Sequence, residues 1–122
     1  MIQHKKIFIT GGAGFIGSTL IGKLVEQNRI VAYDNLARNA LQTKPWKDHP
    51  NLELVVGDVL DYDHLAKAME GADLVVHCAA IESAIPPDAP EYWQTAFSLA
   101  SVQAALRHVK HNNGGKVGFA GG

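Results

Sequence analysis

The sequence lacks the features that mark several common classes of protein. It has one cysteine, Cys78, among 122 residues, so no internal disulfide can form and a reducing, cytoplasmic compartment is expected. No apolar run approaches the roughly 20 residues of a membrane-spanning helix. The apolar stretch at residues 7–9 is also too short for a signal peptide. We therefore expect a mature protein in an aqueous compartment, with no membrane partner.

An excess of charge of one sign is lacking as well. The 11 lysine and arginine residues nearly balance the 12 aspartate and glutamate residues. Nucleic acids and anionic membranes attract strongly basic surfaces, so neither is an expected partner. The sequence also contains no Gly-Lys-Ser or Gly-Lys-Thr of a P-loop and no Gly-x-Ser-x-Gly elbow. These absences argue against a nucleoside triphosphatase and against a serine hydrolase.

What is present is an alternation of short apolar runs with longer segments of helical periodicity. This pattern is typical of a parallel sheet whose strands are joined by crossover helices. No repeat, low-complexity tract or change in composition divides the chain, so we predict one α/β domain over residues 1–122. Its sheet is doubly wound, with strand order 3-2-1-4-5 and helices on both faces. The five predicted strands are residues 7–10, 30–33, 52–56, 74–77 and 117–120.

Helices are predicted between these strands from the spacing of the apolar residues. The first covers residues 14–27, and a second is capped by Asp61 and stopped by Gly71. The connection at residues 35–51 contains two prolines and only a weak helical pattern, so it is predicted to be mostly loop with at most a turn of helix, and Trp46 is expected to pack locally. The apolar face of the second helix consists of Leu65, Ala68 and Met69.

A third helix is predicted after the proline-rich stretch at residues 85–90, and it ends near residues 112–115. We expect Trp93 and Phe97 to pack in the core. If solvent reaches these two rings, they mark a face for self-association or for docking another domain. The apolar residues aligned on this helix are Trp93, Phe97, Ala100 and Ala104.

A cluster of glycines lies between the first strand and the first helix. It fits both Gly12-x-Gly14-x-x-Gly17 and Gly11-x-x-Gly14-x-x-Gly17. One glycine allows a tight turn, one lets a pyrophosphate approach bare backbone, and one lets the helix lie close to the strand. Free amides at the positive end of the helix dipole then hold the anion. The cluster predicts a Rossmann-like dinucleotide-binding turn.

Asp34 stands at the end of the second strand, about 20 residues beyond the glycines, where dinucleotide-binding folds place an acidic residue. A carboxylate at this place accepts both ribose hydroxyls of adenosine and repels a 2′-phosphate, so NAD is favoured over NADP. An arginine can bind a 2′-phosphate, so Arg38, four residues after Asp34, leaves NADP as an alternative cofactor. A simple turn formed with Asn35 is another interpretation of Asp34.

Four segments form an ordered set along the chain. They are Thr-Gly-Gly-Ala-Gly-Phe-Ile-Gly at residues 10–17, Tyr-Asp-Asn-Leu at 33–36, Gly-Asp-Val at 57–59 and His-Cys-Ala-Ala at 77–80. This set resembles the motifs of the extended short-chain dehydrogenase/reductase family, in particular the NAD-dependent nucleotide-sugar epimerases and dehydratases. The resemblance covers residues 1–80, whereas residues 81–122 diverge from the family pattern.

The resemblance implies that each motif contacts NAD. In the family, amides of the first helical turn serve the pyrophosphate, the Asp-Asn pair serves the adenosine ribose, the Asp-Val pair meets adenine, and the paired alanines pass beside the cofactor. Asp58 can also be interpreted as a turn residue after Gly57, and His77 and Cys78 are predicted to be buried at a strand end. The implied cofactor-binding residues are Gly11, Gly12, Gly14, Phe15, Ile16, Gly17, Asp34, Asn35, Asp58, Val59, Ala79 and Ala80.

The sequence departs from the family at the residues that carry its chemistry. The family moves a proton with a tyrosine that has a lysine four residues later, but Ala37, Ala66 and Ala96 follow the three tyrosines at that spacing. Ala96 also replaces an expected asparagine. Glu82 stands near the place of a lysine in some epimerases, and the glycines at residues 121–122 stand where a catalytic Ser or Thr segment begins. The substrate-binding half is also missing, so no catalytic residue is predicted.

Metal binding is not predicted either. The six histidines are scattered, and the pair formed by His108 and His111 has no third ligand. The acidic cluster of Asp58, Asp61 and Asp63 is largely explained by helix capping and adenine contact.

Three hypotheses about function stay open. The first is a NAD(H)-binding module that turns over no substrate by itself. The second is an N-terminal fragment of an active NAD-dependent epimerase or dehydratase, whose chemistry needs further sequence. The third is a truncated, chimeric or engineered α/β scaffold, in which residues 81–122 come from another protein and the site holds no ligand.

Overall fold

The chain forms a parallel sheet with helices packed on both faces. The computed structural model describes residues 2–78, 102–110 and 118–121. Its strands are β1 (Lys6–Thr10), β2 (Arg29–Asp34), β3 (Leu52–Val56), β4 (Leu74–His77) and β5 (Gly118–Gly121). Helices α1 (Phe15–Leu24) and α2 (Tyr62–Met69), a 3₁₀ helix at Leu41–Thr43 and a helical segment at residues 102–110 lie between them. No helix in the described ranges is long and apolar enough to cross a membrane.

The order of the strands is β3-β2-β1-β4-β5, and every neighbouring pair is parallel. This confirms the predicted order. The chain builds outward from β1 to β3 and then returns to the other side of β1 with β4. The carboxyl ends of β1 and β4 therefore flank the point where the direction of winding reverses, which is where ligands bind in open α/β sheets.

Alternation of side chains along β1 divides the core into two layers. Ile7 and Ile9 face α1, where they pack with Ile21 and Val25. Phe8 faces the other side of the sheet. The second layer, which joins Phe8 to α2 and to segment 102–110, also contains Val31, Tyr33, Leu65, Ala66, Met69, Val75, Val102, Ala105 and Val109. The predicted helices on both faces are thus confirmed.

Helix α1 ends earlier than the predicted Gln27, with Val25 as its C-cap. The side chain of Asn28, which is 3% exposed, explains this end of the helix. Its Nδ2 donates to the carbonyl of Leu24 at 2.9 Å, and its Oδ1 accepts from the amide of Lys5 at 3.1 Å. Asn28 thereby satisfies a terminal helix carbonyl and ties the chain to the start of β1.

Trp46 lies beside Lys44 of its own loop, in line with the predicted local packing, but it also contacts α1, which the prediction did not include. Its indole Nε1 donates to the carbonyl of Ser18 in α1 at 2.9 Å. A Cβ at Gly22 would lie 2.5 Å from the indole ring, so the glycine leaves the space that the ring occupies. The loop at residues 35–51 is therefore attached to α1.

The predicted ends of α2 agree with the structure. Asp61 is the N-cap and accepts from the amide of His64 at 3.4 Å, while Gly71 has a φ of +80° just beyond the helix. In segment 102–110 the predicted Ala104 is half-buried. Trp93, Phe97, Ala100 and the predicted helix end at residues 112–115 lie outside the described residues.

Candidate cofactor-binding site

The glycine turn after β1 is compact because three of its glycines leave no room for a side chain or need an unusual backbone. Gly11 has a φ of +68°, and its carbonyl accepts from the amide of Gly14 at 3.0 Å. A Cβ at Gly12 would lie 2.6 Å from the Cβ of Ala32 in β2. A Cβ at Gly17 would collide with the carbonyl oxygen of Gly11, so this glycine lets α1 approach the turn closely.

The first turn of α1 presents unpaired amides. The first amide bonded back into the helix is that of Ser18, which donates to the carbonyl of Gly14 at 2.9 Å. Among the described residues, the amides of Phe15 and Ile16 have no acceptor, and the first turn contains no acidic residue. Their side chains are 69% and 71% exposed, so this turn is open to solvent. The end of the helix can therefore bind an anion.

Asp34 faces the glycine turn. It is 9% exposed, and its Oδ2 accepts from the amide of Ala13 at 3.0 Å. Its Oδ1 accepts from the amide of Leu36 at 2.7 Å, which holds Leu36 at a φ of +62°. Because a carboxylate has about four lone-pair sites, each oxygen keeps capacity for a further donor such as a hydroxyl. The turn and the ribose interpretations of Asp34 are therefore compatible.

Backbone hydrogen bonds gather the predicted motifs at one edge of the sheet. The amide of Gly11 donates to the carbonyl of Tyr33 at 2.8 Å, joining the glycine turn to β2. The amide of Gly57 donates to the carbonyl of Asp34 at 3.0 Å, joining the loop after β3 to the same strand. The amide of Cys78 donates to the carbonyl of Thr10 at 2.9 Å. All of these bonds lie at the carboxyl ends of the strands.

Asn35, Asp58 and Val59 differ in exposure. Asn35 is exposed, and its Oδ1 accepts from the amide of Ala37 at 3.0 Å. Asp58 is exposed, and its Oδ1 accepts from the amide of Leu60 at 2.9 Å, so it forms the predicted turn at the strand end. Val59 is half-buried and packs against the core. One carboxylate oxygen of Asp58 keeps both of its lone pairs for a ligand.

The ends of β1 and β4 carry an uncharged pair of side chains. Thr10 Oγ1 and His77 Nδ1 form a buried hydrogen bond, and burial lowers the pKa of His77. Burial also raises the pKa of the Cys78 thiol, which is half-buried, so the thiol is not an activated nucleophile. His77 is buried at the end of β4, as predicted, whereas Cys78 is only half-buried. Ala79 and Ala80 lie outside the described residues.

Lys44 is a residue near the site that sequence reasoning missed. Its side chain is half-buried, and its Nζ lies 6.0 Å from the centroid of the Phe15 ring and 5.8 Å from that of the Trp46 ring. A cation beside the positive end of α1 adds to the attraction for an anion at the first-turn amides. Nothing local in the sequence connects Lys44 to Phe15, since the loop reaches α1 through Trp46.

A metal site and a cavity outside the glycine turn were also considered as candidate functional sites. Among the described residues, no three His, Cys, Asp or Glu side chains are placed to hold a metal ion. A cavity of about 470 Å³ lies at the amino ends of the strands, opposite the glycine turn. Its lining is a mixture of both charge signs, formed by His4, Lys5, Lys6, Glu26, Gln27, Asn28, Arg29, Asn51 and Asp73.

Comparison with known sequences identifies relatives for most of the chain. Residues 11–113 match the sequence profile of a family described as NAD(P)H-binding. A 3 beta-hydroxysteroid dehydrogenase/Delta 5-->4-isomerase of Mycobacterium tuberculosis is 37% identical over 76 residues, which are 62% of this chain and 19% of the relative. A UDP-N-acetylglucosamine 4,6-dehydratase (inverting) of Campylobacter jejuni is 33% identical over 85 residues, which are 67% of this chain and 25% of the relative. The chain thus spans about a fifth to a quarter of these relatives' length.

Solved structures of similar proteins superpose on most of this chain and therefore share its fold. A UDP-N-acetylglucosamine 4-epimerase from Methanobrevibacter ruminantium, in complex with UDP-N-acetylmuramic acid, superposes with a TM-score of 0.77 at 27% identity, over 89% of this chain and 36% of that one. The Bordetella bronchiseptica enzyme WbmH, in complex with NAD+, has a TM-score of 0.67 at 30% identity, over 92% of this chain and 36% of that one. The chain therefore belongs to the NAD(P)H-binding family, as a Rossmann domain whose relatives are extended short-chain dehydrogenases/reductases that include nucleotide-sugar epimerases and dehydratases.

Proposed function

We propose that the chain binds NAD at the carboxyl edge of its sheet and serves as a cofactor-binding module. The observation that carries this proposal is the position of the Asp34 carboxylate, whose Oδ2 lies 3.0 Å from the Ala13 amide, directly beside the open first turn of α1. A diphosphate at the amides of Phe15 and Ile16 places the attached ribose next to that carboxylate. When bound, NAD supplies a hydride acceptor at its nicotinamide ring.

The proposed contacts follow the motifs in order along the cofactor. The glycine turn surrounds the diphosphate, and Lys44 adds a positive charge near it. Asp34 accepts from the ribose hydroxyls, with Asn35 beside it. Asp58 and Val59 contact adenine. The residues proposed to line the site are Gly11, Gly12, Gly14, Phe15, Ile16, Gly17, Asp34, Asn35, Asp58, Val59, Ala79 and Ala80.

NAD is the proposed form rather than NADP. Asp34 is almost fully buried, and both of its oxygens accept backbone amides, so the carboxylate cannot swing away from a 2′-phosphate. Calorimetric titration of the chain with each cofactor tests the preference. We expect micromolar or weaker binding of NAD and at least about tenfold weaker binding of NADP. Asp34→Arg should shift the preference toward NADP, and equal affinities of the unaltered chain for both cofactors would refute this assignment.

We propose further that the chain is not catalytic by itself. The sequence has no Tyr-x-x-x-Lys, and the chain spans about a third of the solved epimerases that it resembles. Incubation with NAD and UDP-N-acetylglucosamine, followed by proton NMR of the sugar, should show no conversion. Conversion would favour the second candidate, an active epimerase or dehydratase, which the identities of the relatives support.

A third proposal concerns association and location. The predicted helix that carries Trp93 and Phe97 offers a face for a second copy of the chain if solvent reaches those rings. Sedimentation velocity over a range of concentrations should then show a dimer, and a monomer at every concentration would oppose this proposal. A cytoplasmic location is proposed from the single cysteine, and fractionation of cells that express the protein tests it.

A further inference from the structure

A buried tyrosine of β2 forms a hydrogen bond to the backbone of the loop between β3 and α2. Tyr33 is fully buried, and its hydroxyl donates to the carbonyl of Asp58 at 2.7 Å. The same carbonyl accepts from the amide of Asp61 at 3.0 Å. Because the amide of Gly57 is bonded to Asp34, the loop is fixed at its beginning, its middle and its end.

The space beneath this loop is filled. A Cβ at Gly57 would lie 2.5 Å from the hydroxyl oxygen of Tyr33 and 2.7 Å from Nδ1 of His64. The ring of His64 meets the ring of Tyr33 edge-on, with centroids 5.4 Å apart, and its Nδ1 lies 3.5 Å from the hydroxyl. The loop, the hydroxyl and the imidazole are therefore in direct contact, so the backbone of Asp58 cannot shift without breaking this packing.

Two polar groups of the loop are available to a planar base. The Asp58 carboxylate keeps an oxygen without a partner among the described residues, and the amide of Val59 likewise has no acceptor there. An acceptor next to a donor matches adenine, whose amino group donates and whose N1 accepts. Hypoxanthine reverses both roles, since its O6 accepts and its N1 carries a proton. A fixed loop can discriminate between these bases, whereas a loose loop can rearrange.

We propose that Tyr33 is a positioning residue whose hydroxyl, through the Asp58 carbonyl, sets the preference of the site for adenine over hypoxanthine dinucleotides. This inference rests on the proposed binding of NAD and deepens it. Tyr33 and Asp34 are consecutive in β2 and point to opposite sides of it. One strand end thus supplies the ribose acceptor on one side and supports the adenine loop on the other.

The experiment compares the dissociation constants of NAD and of nicotinamide hypoxanthine dinucleotide, measured by calorimetry. The unaltered chain should prefer NAD by roughly tenfold or more, because two hydrogen bonds are mismatched with hypoxanthine. Tyr33→Phe should reduce that ratio by about fivefold, chiefly by weakening NAD. Tyr62→Phe is the matched control, since Tyr62 is 40% exposed and contacts the ring of His108 instead. It should leave the ratio unchanged.

The ratio of the two dissociation constants distinguishes a positioning role of Tyr33 from a merely structural one. An equal loss of affinity for both dinucleotides in Tyr33→Phe, with the ratio unchanged, would overturn the inference while the binding of NAD stands. An unaltered chain that binds both dinucleotides equally would overturn it too, and one that binds neither would defeat the proposed function itself. If circular dichroism shows that Tyr33→Phe does not fold, Gly57→Ala takes its place. Its Cβ displaces the loop from the hydroxyl and should lower the same ratio.

Discussion

The carboxylate of Asp34 accepts a hydrogen bond from the backbone amide of Ala13 at 3.0 Å, across the space between β2 and the glycine turn. This bond makes the end of β2 and the turn after β1 one unit. Asp34 also holds the amide of Leu36, so the same side chain shapes the loop that follows β2. The group proposed to bind the ribose therefore also organises the turn that is proposed to bind the diphosphate.

Gly17→Ala tests the close approach of α1 to the glycine turn. The added Cβ would meet the carbonyl oxygen of Gly11 and lie 2.9 Å from the Cα of Gly12, so the helix must move outward. We expect a loss of about 1–3 kcal/mol in the free energy of unfolding and at least about tenfold weaker NAD binding. Thr19→Ala, on an exposed position of the same helix, is the control. Urea unfolding and calorimetry measure both effects, and normal NAD affinity in Gly17→Ala would oppose the proposed diphosphate site.

Trp46→Phe tests how the loop at residues 35–51 is attached to α1. Phenylalanine keeps an aromatic ring but loses the donor to the carbonyl of Ser18 and the outer indole atoms that lie against Gly22. The expected cost is about 1–2 kcal/mol in the free energy of unfolding, measured by urea denaturation. Trp46→Ala, which removes the ring as well, should cost about 3 kcal/mol or more. Equal stabilities of the two variants would contradict this account of the packing.

His77 should make stability depend on pH in the acid range. Burial lowers its pKa below the ordinary value of 6.5, so the unfolded chain binds this proton more readily than the native chain. The free energy of unfolding should therefore fall as pH drops below 6.5, by at most about 1.4 kcal/mol per pH unit from this group. His77→Gln should flatten the dependence, whereas His4→Gln, at an exposed position, should not. Identical pH profiles for the unaltered chain and His77→Gln would exclude this role.

Tyr33 should make the free energy of unfolding depend on pH in the alkaline range. Burial, together with the charges of Asp61 and Asp58, raises its pKa from 10.0 to about 12. The native chain keeps this proton longer than the unfolded chain, so the stability that the neutral hydroxyl provides is lost as pH rises from 10.0 toward about 12. The difference in unfolding free energy between the unaltered chain and Tyr33→Phe should shrink between about pH 10 and about pH 12. A constant difference would mean that the hydroxyl is not buried as described.

The sheet could be predicted from the sequence because buried parallel strands are nearly continuous apolar runs. β3 and β4 begin and end at the predicted residues. β1 begins one residue earlier than predicted, and β2 and β5 differ from their predicted bounds by one residue at each end. The glycine turn and Asp34 could also be located, since their spacing is a local signal. The alternation of strands and helices predicted a parallel sheet, and the strand order followed from the doubly wound dinucleotide-binding fold that the glycine turn indicated.

The contacts that could not be predicted are mostly those of side chains with backbone atoms distant in sequence. Asn28 ends α1 by bonding Leu24 and Lys5, and Trp46 bonds Ser18 across the helix surface. Such contacts depend on how finished elements pack, which periodicity does not encode. The hydrogen bond between the Ala13 amide and Asp34 could likewise not be predicted, because these two residues become neighbours only after β1 and β2 have paired.

The measurement that tests the central claim most directly is a calorimetric titration of NAD into the chain and into Asp34→Ala. The substitution removes an acceptor of hydrogen bonds worth roughly 1.5 to 3 kcal/mol, so NAD affinity should fall about tenfold or more. Asp48→Ala removes a carboxylate from an exposed position of the neighbouring loop and should leave the affinity unchanged. If Asp34→Ala binds NAD as tightly as the unaltered chain, the ribose does not lie at Asp34 and the account is wrong.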